Sequence, residues 1–233
     1  MPFRNPSAKA VTPGGKGRFP GFDVLDEVDR WDDITAGFVL ARLDPQPEVS
    51  FFSVAEQATA DALFDQLLGQ DTDPKVPVLL LVDRRLALGQ TDGWRYDDMP
   101  EDGQAWRQTL AALDDDAQLS HGERFHRLTW EQQGALVQAV YDADTWHGLP
   151  AARVWSLWTR YTSTAFYSHP WAWNEIGFGG PAYPRGYKAL GVNKKENWEV
   201  SDHHSADPVA FAERVERAKR RHARTAGTDR NAS

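Results

Sequence analysis

The sequence predicts a mostly α-helical fold: a single helical domain with a long ordered loop, rich in glycine, proline and aromatic residues, near the C-terminus. Three observations carry this. Ser53–Glu56 and Thr129–Gln132 are capping boxes, in which a hydroxyl accepts from the N3 backbone and the N3 side chain reaches back. Trp106, Leu110, Leu113 and Ala117 recur at i, i+4, i+7 and i+11, the period of one helix face. Residues 168–204 then break the pattern with Gly177, Gly179, Gly180, Gly186 and Gly191 and with Pro170, Pro181 and Pro184.

The elements follow in order. Residues 1–22 carry Arg4, Lys9, Lys16 and Arg18, no acid, and four prolines; they read as a flexible arm. Residues 23–204 form the helical domain. After Ser53, Ala55, Ala58, Ala62, Leu63 and Leu67 give a helical stripe. Val76–Val82 is apolar enough for a buried strand, but Asp83-Arg84-Arg85-Leu86 continues it without a turn signal. It is therefore assigned to a helix with Pro77 in its first turn. Trp106–Ala117 is the next helix. Thr129 opens another, with Val137, Val140 and Tyr141 on its apolar side. Val154, Leu157, Trp158, Tyr161 and Ala165 mark one more, stopped at His169-Pro170. The loop 168–204 threads Trp171, Trp173, Phe178, Tyr183, Tyr187 and Trp198 among its glycines. So many aromatics would be left wet by disorder, so the loop is expected to be ordered. Asp207-Pro208 is a good helix start and opens a basic helix over 205–225, followed by a disordered tail, 226–233.

Composition excludes several functions. The 233 residues carry 26 Lys+Arg against 34 Asp+Glu, a net charge of −8, which disfavours general nucleic-acid binding. No apolar run approaches the roughly 20 residues that span a bilayer. There is no cysteine, hence no disulfide, thiolate metal site or cysteine nucleophile. Ten tryptophans, seven of them from Trp130 onward, suit cores and protein interfaces alike.

No motif forces a catalytic assignment. Glu123-x-x-His126 is half of a di-iron carboxylate motif and Asp144-x-x-His147 an aspartate variant, but a di-iron bundle needs two Glu-x-x-His helices and two further glutamates. Both candidates lie beside glycines, Gly122 and Gly148, as helix ends do. His203-His204 reads as surface. Gly177-Phe178-Gly179-Gly180-Pro181 follows a helix rather than a strand, unlike a dinucleotide fingerprint, and is expected to make tight turns around packed aromatics. No Gly-x-Ser-x-Gly elbow is present. Eight acids against two bases over residues 92–116 read as a solvated acidic face, able to steer a basic partner.

Four segments together resemble the gluconate 2-dehydrogenase subunit 3 family. They are Phe51-Phe52-Ser53 with Glu56; Val76 through Asp83-Arg84-Arg85-Leu86; Leu110-Ala111-Ala112-Leu113-Asp114 with Ala117, Gly122, Phe125 and Leu128; and Phe166-Tyr167-Ser168-His169-Pro170 with Asn174 and Ile176-Gly177-Phe178-Gly179-Gly180. The resemblance covers about residues 51–187. It implies a mostly helical, non-catalytic small subunit with no cofactor of its own. It also implies a heterodimeric partner, an FAD-dependent catalytic chain of the glucose-methanol-choline type acting on a sugar, sugar acid or glycoside. The resemblance further implies that a cytochrome c or another acceptor takes the electrons and that the small subunit has a chaperone-like role in maturing the large one.

This chain departs from the family in two places. Residues 1–22 hold neither a twin-arginine pair nor an apolar signal core, so the complex is expected in the cytoplasm rather than the periplasm. Trp171-Ala172-Trp173 stands before Asn174 where many members have Gly-Gly. The expected partner interface is therefore aromatic: Trp171, Trp173, Phe178, Tyr183, Arg185 and Tyr187, packing against the flavoprotein. Two other readings stand beside this one. The first is a free-standing metal-dependent helical enzyme using Glu123 and His126. The second is an adaptor acting through the basic C-terminal helix on RNA or anionic lipid, since residues 213–233 hold seven bases and three acids.

Overall fold

A computed structural model of the chain describes residues 19, 22–44, 48–71, 73–189, 191 and 194–200. Most of the expected arm, the expected basic helix and tail, and His203-His204 lie outside these residues. The described part up to Glu199 is one compact unit. It holds seven α-helices, two short 3-10 helices and one two-stranded hairpin among the described residues.

The chain enters through a 3-10 helix, Val24–Arg30, and α1, Asp33–Leu40, capped by Asp23 and Asp32. Then come α2 (Val54–Leu68), α3 (Val78–Ala87) and α4 (Asp102–His121). A second 3-10 turn, Phe125–Arg127, leads to α5 (Trp130–Asp142). The hairpin β1 (Thr145–Trp146) and β2 (Leu149–Pro150) pairs antiparallel and feeds α6 (Ala151–Tyr167). α7 (Pro170–Ile176) follows after two residues.

Both capping boxes form: Glu56 accepts from Ser53 N–H at 2.8 Å and Gln132 accepts from Thr129 N–H at 2.9 Å. Pro77 is the N-cap of α3, as a residue without N–H suits a helix start. α7 lies inside the stretch expected to be loop. His169-Pro170 ends α6, and the same pair opens α7 because Pro at the first helical position has its φ preset and needs no partner for a missing N–H.

α6 is buried along Val154, Leu157, Trp158, Tyr161 and Ala165, and α4 along Trp106, Leu110, Leu113 and Ala117. Trp106 is the hub. Phe52, Phe64 and Tyr161 meet it edge-on at 6.3, 5.5 and 5.8 Å between centroids, a favoured aromatic geometry. The expected stripe on α2 holds in part, with Leu63 buried and Ala62 and Leu67 packed against the core. Thr59, Ala60, Leu63 and Phe64 face the core, while Ala55 is exposed. Thr59 is drawn inward by a hydrogen bond to Asp114 at 3.0 Å. On α5, Val137 and Val140 are buried but Tyr141 is exposed and stacks edge-on against Trp155. A second, smaller core of Val24, Trp31, Val39 and Trp173 ties the N-terminal helices to α7.

Candidate functional site

The stretch from the end of α6 to Tyr187 is the part of the chain where the sequence reading placed its partner-binding residues. Its geometry is built from local capping. Ser168 ends α6, its hydroxyl donating to the Ala165 carbonyl at 2.7 Å. His169 is buried, and its Nδ1 accepts from the Trp171 N–H at 3.3 Å, capping α7. Burial holds its imidazole down at about 4; the Arg42 charge lowers it further, and a hydrogen bond with the Arg42 backbone opposes both. Gly177 ends α7 in the left-handed region, φ 68°, where a side chain would be strained. Asn174 is also buried. Its Oδ1 accepts from the Val24 N–H at 2.7 Å and its amide donates to Asp23 at 3.2 Å. One side chain thus fastens the N-terminal helices to α7 across 150 residues of sequence.

The Gly-Phe-Gly-Gly run is filled by indoles. A Cβ on Gly179 would lie 2.7 Å from the Trp198 ring, and one on Gly180 would lie 2.4 Å from the Trp31 ring. Both glycines admit close aromatic packing, so this run has no room to cradle a phosphate.

The six expected interface residues divide. Trp173 is buried in the second core, its indole N–H donating to the Tyr167 carbonyl at 2.7 Å. Arg185 is spent inside the chain: it pairs with Glu27 at 2.9 Å and lies 3.7 Å over the Trp198 ring. Trp171 is half-buried against the main core. Phe178, Tyr183 and Tyr187 are exposed, at 38, 66 and 55%. Phe178 rests edge-on against Trp173 at 5.5 Å, and Tyr187 lies tilted against Trp198 at 5.3 Å. The sequence reading missed Ile34 and Phe38, which are 83 and 66% exposed on α1. Their i, i+4 spacing behind the Asp32 cap was the available signal.

The other segments that carried the resemblance are polar nodes holding the domain together. Asp83 on α3 is buried and its carboxylate accepts the N–H groups of Ser50, Phe51 and Phe52 at 2.8, 2.9 and 2.9 Å. Asp114 accepts from Thr59 and from the Phe125 N–H, both at 3.0 Å. Asp102, buried in the first turn of α4, accepts from the Tyr161 hydroxyl at 2.6 Å. Burial first and this carboxylate second push the Tyr161 phenol upward, so it stays a donor. Arg85 lies 4.3 Å over the same ring, and both Arg85 and Arg160 pair with Asp92.

The catalytic candidates do not converge. Glu123 is exposed and pairs with Arg127 at 3.5 Å, and His126 stands in the second 3-10 turn. His147 is at the hairpin turn with φ 46° and binds Asp116 at 2.8 Å, beside the Trp146 indole that donates to the same carboxylate at 2.7 Å. Among the described residues no three His, Asp or Glu side chains are grouped to hold a metal ion. One open groove of about 400 Å³ between α2 and α5 has Asp61, Asp65, Lys75 and His126 in its wall. Burial raises Asp65 to about 6, with Asp61 and Asp73 adding to this and Lys75, 2.5 Å away, opposing it. Among the described residues no helix is long and apolar enough to cross a membrane.

The model of one protein family, gluconate 2-dehydrogenase subunit 3, matches residues 54–180, more than half of the chain. No curated protein matches, and no solved structure matches. The match runs from the first residue of α2 to Gly180, taking in Asp83, Asp114, His169 and Asn174. The chain belongs to the gluconate 2-dehydrogenase subunit 3 family.

Proposed function

We propose that this chain is the non-catalytic small subunit of a dehydrogenase complex and that it binds, stabilises and helps to mature an FAD-dependent catalytic chain of the glucose-methanol-choline type. The substrate class is a sugar, sugar acid or glycoside. The flavin belongs to the partner, and electrons leave the partner for a cytochrome c or another acceptor. The observation that carries this reading is the family match over residues 54–180.

The residues themselves support a binding role. The polar side chains that look chemically capable (Asp83, Asp102, Asp114, Tyr161) are engaged in holding loops and helices. Phe178, Tyr183 and Tyr187 are large, exposed and mounted beside a packed core. Aromatic residues anchored in this way are common interface anchors. Trp173 and Arg185 then act from beneath, fixing the loop from which these rings project.

The test is to produce the catalytic chain with and without this one and to measure soluble, flavin-loaded dehydrogenase. Recovery that falls severalfold without this chain, with no sugar oxidation by this chain alone, supports the proposal. Full recovery of active flavoprotein in its absence contradicts it.

A further inference from the structure

α1 is an unusual surface helix. Of its residues only Val39 is buried. Its solvent side carries Ile34, Gly37, Phe38 and Leu40, with Ala41 just beyond and Asp33 as its single charge. A helix that stands alone on a surface turns a polar face to water, and one that is apolar all round is normally covered. Ile34 and Phe38, 83 and 66% exposed, are therefore poorly explained by the isolated chain.

The surroundings select what covers them. Residues 22–44 hold seven acids and two bases. Asp26, Asp29 and Asp33 are exposed. Both bases are engaged: Arg30 with Glu27 at 3.2 Å, and Arg42 with the Ser168 carbonyl and over the Phe38 ring at 4.7 Å. An apolar strip in so acidic a segment repels an anionic lipid surface. Two copies brought together would set acid against acid. A protein surface with an apolar hollow and a Lys/Arg rim is the complementary shape and charge. The strip is also continuous with the exposed corner. Phe38 reaches Trp173 through Arg42, whose guanidinium lies 5.9 Å over that indole, and Phe178 packs on the same indole.

We infer that the Ile34–Phe38 face of α1 docks on a basic-rimmed apolar surface of the catalytic dehydrogenase subunit. This inference rests on the proposed function. α1 lies outside the family match of residues 54–180 and is fastened to the matched domain by Asn174 and the second core.

The experiment uses the full chain and the flavin-bearing dehydrogenase chain that co-purifies with it, in a binding titration. The variants are Ile34→Asp/Phe38→Asp and Gly37→Lys. Gly37 has ordinary helical φ and open space around it, so lysine there favours the helix while crowding the contact and opposing a basic rim. Both variants are expected to keep the wild-type melting temperature and to weaken the complex more than about tenfold. Backbone amides 33–41 are expected to gain hydrogen-exchange protection in the wild-type complex.

Unchanged affinity in both variants overturns the inference and leaves the proposed function standing. So does a wild-type dimer that Phe38→Asp splits, or binding to phosphatidylserine vesicles that the same change abolishes. If the wild-type chain binds no flavoprotein at all, the proposed function fails and the inference fails with it.

Discussion

The Asp83 carboxylate accepts the backbone N–H of Phe52, 31 residues earlier in the chain, at 2.9 Å, and both residues are buried. The same carboxylate takes the N–H groups of Ser50 and Phe51. Three donors that precede α2 are thus satisfied by one side chain of α3, and Phe52 is set against Trp106 in the core.

Replacing Asp83 by alanine leaves those donors without a partner. An orphaned buried donor costs about 1–3 kcal/mol; the Phe52 N–H is buried, Phe51 is half-buried and Ser50 is exposed to water, so Asp83→Ala is expected to destabilise the domain by about 2 kcal/mol or more. Asp83→Asn keeps one acceptor oxygen and is expected to cost less. Urea unfolding of both variants measures this.

Asn174 holds the N-terminal helices through Val24 and Asp23. Asn174→Ala is expected to raise hydrogen exchange across residues 22–43 at least tenfold, with the α4 and α6 amides unchanged, because this attachment opens locally. Gly180→Ala acts on the same core, placing a Cβ 2.4 Å from the Trp31 ring at φ 77°. It is expected to cost about 2 kcal/mol or more.

His169 sets a pH dependence. Its folded value, about 4, lies below the 6.5 of a free imidazole, so between these values the unfolded chain binds more protons than the folded one. Stability from this group is complete above pH 6.5 and falls as pH drops toward 4, by up to about 3 kcal/mol. Asp65, raised to about 6, acts oppositely: between about pH 4 and 6 the folded chain binds the extra proton, and stability declines as pH rises. His169→Asn keeps a capping side chain and is expected to flatten the loss of melting temperature between pH 6.5 and 4. Asp65→Asn is expected to steepen it.

Phe178, Tyr183 and Tyr187 are exposed, so changing all three to serine is expected to leave the melting temperature within about 2 °C of wild type. The complex with the catalytic chain is expected to weaken more than about tenfold. Trp173→Ala is expected to do the reverse first, melting the second core in the isolated chain.

The helical core was legible because period and capping agree: every residue of the α4 and α6 stripes is buried. The α2 face was legible only in part: Ala62, Leu63 and Leu67 pack on the core, but alanines alone do not mark a face, and the buried Thr59 looks polar in sequence. α7 was hidden because His169-Pro170 reads as a stop, although the same proline can open a helix. The aromatic loop was visible as a composition, but sequence cannot divide aromatics into core and surface. Trp173 is held inside by a hydrogen bond and Arg185 by Glu27, both fixed by tertiary contacts. Asp83 and Phe51-Phe52-Ser53 each carried the family resemblance, yet the joining of Asp83 with Phe51 and Phe52 in one hydrogen-bonded node depends on a contact between α3 and the segment before α2.

The most direct test of the central claim is purification of the tagged chain at native expression, with a visible absorption spectrum of the eluate. The account predicts a second chain of flavoprotein size in fixed ratio, carrying the absorption bands of oxidised flavin that bleach on adding a sugar or sugar acid. A single colourless 26.2 kDa species under conditions where the catalytic chain is abundant would contradict it.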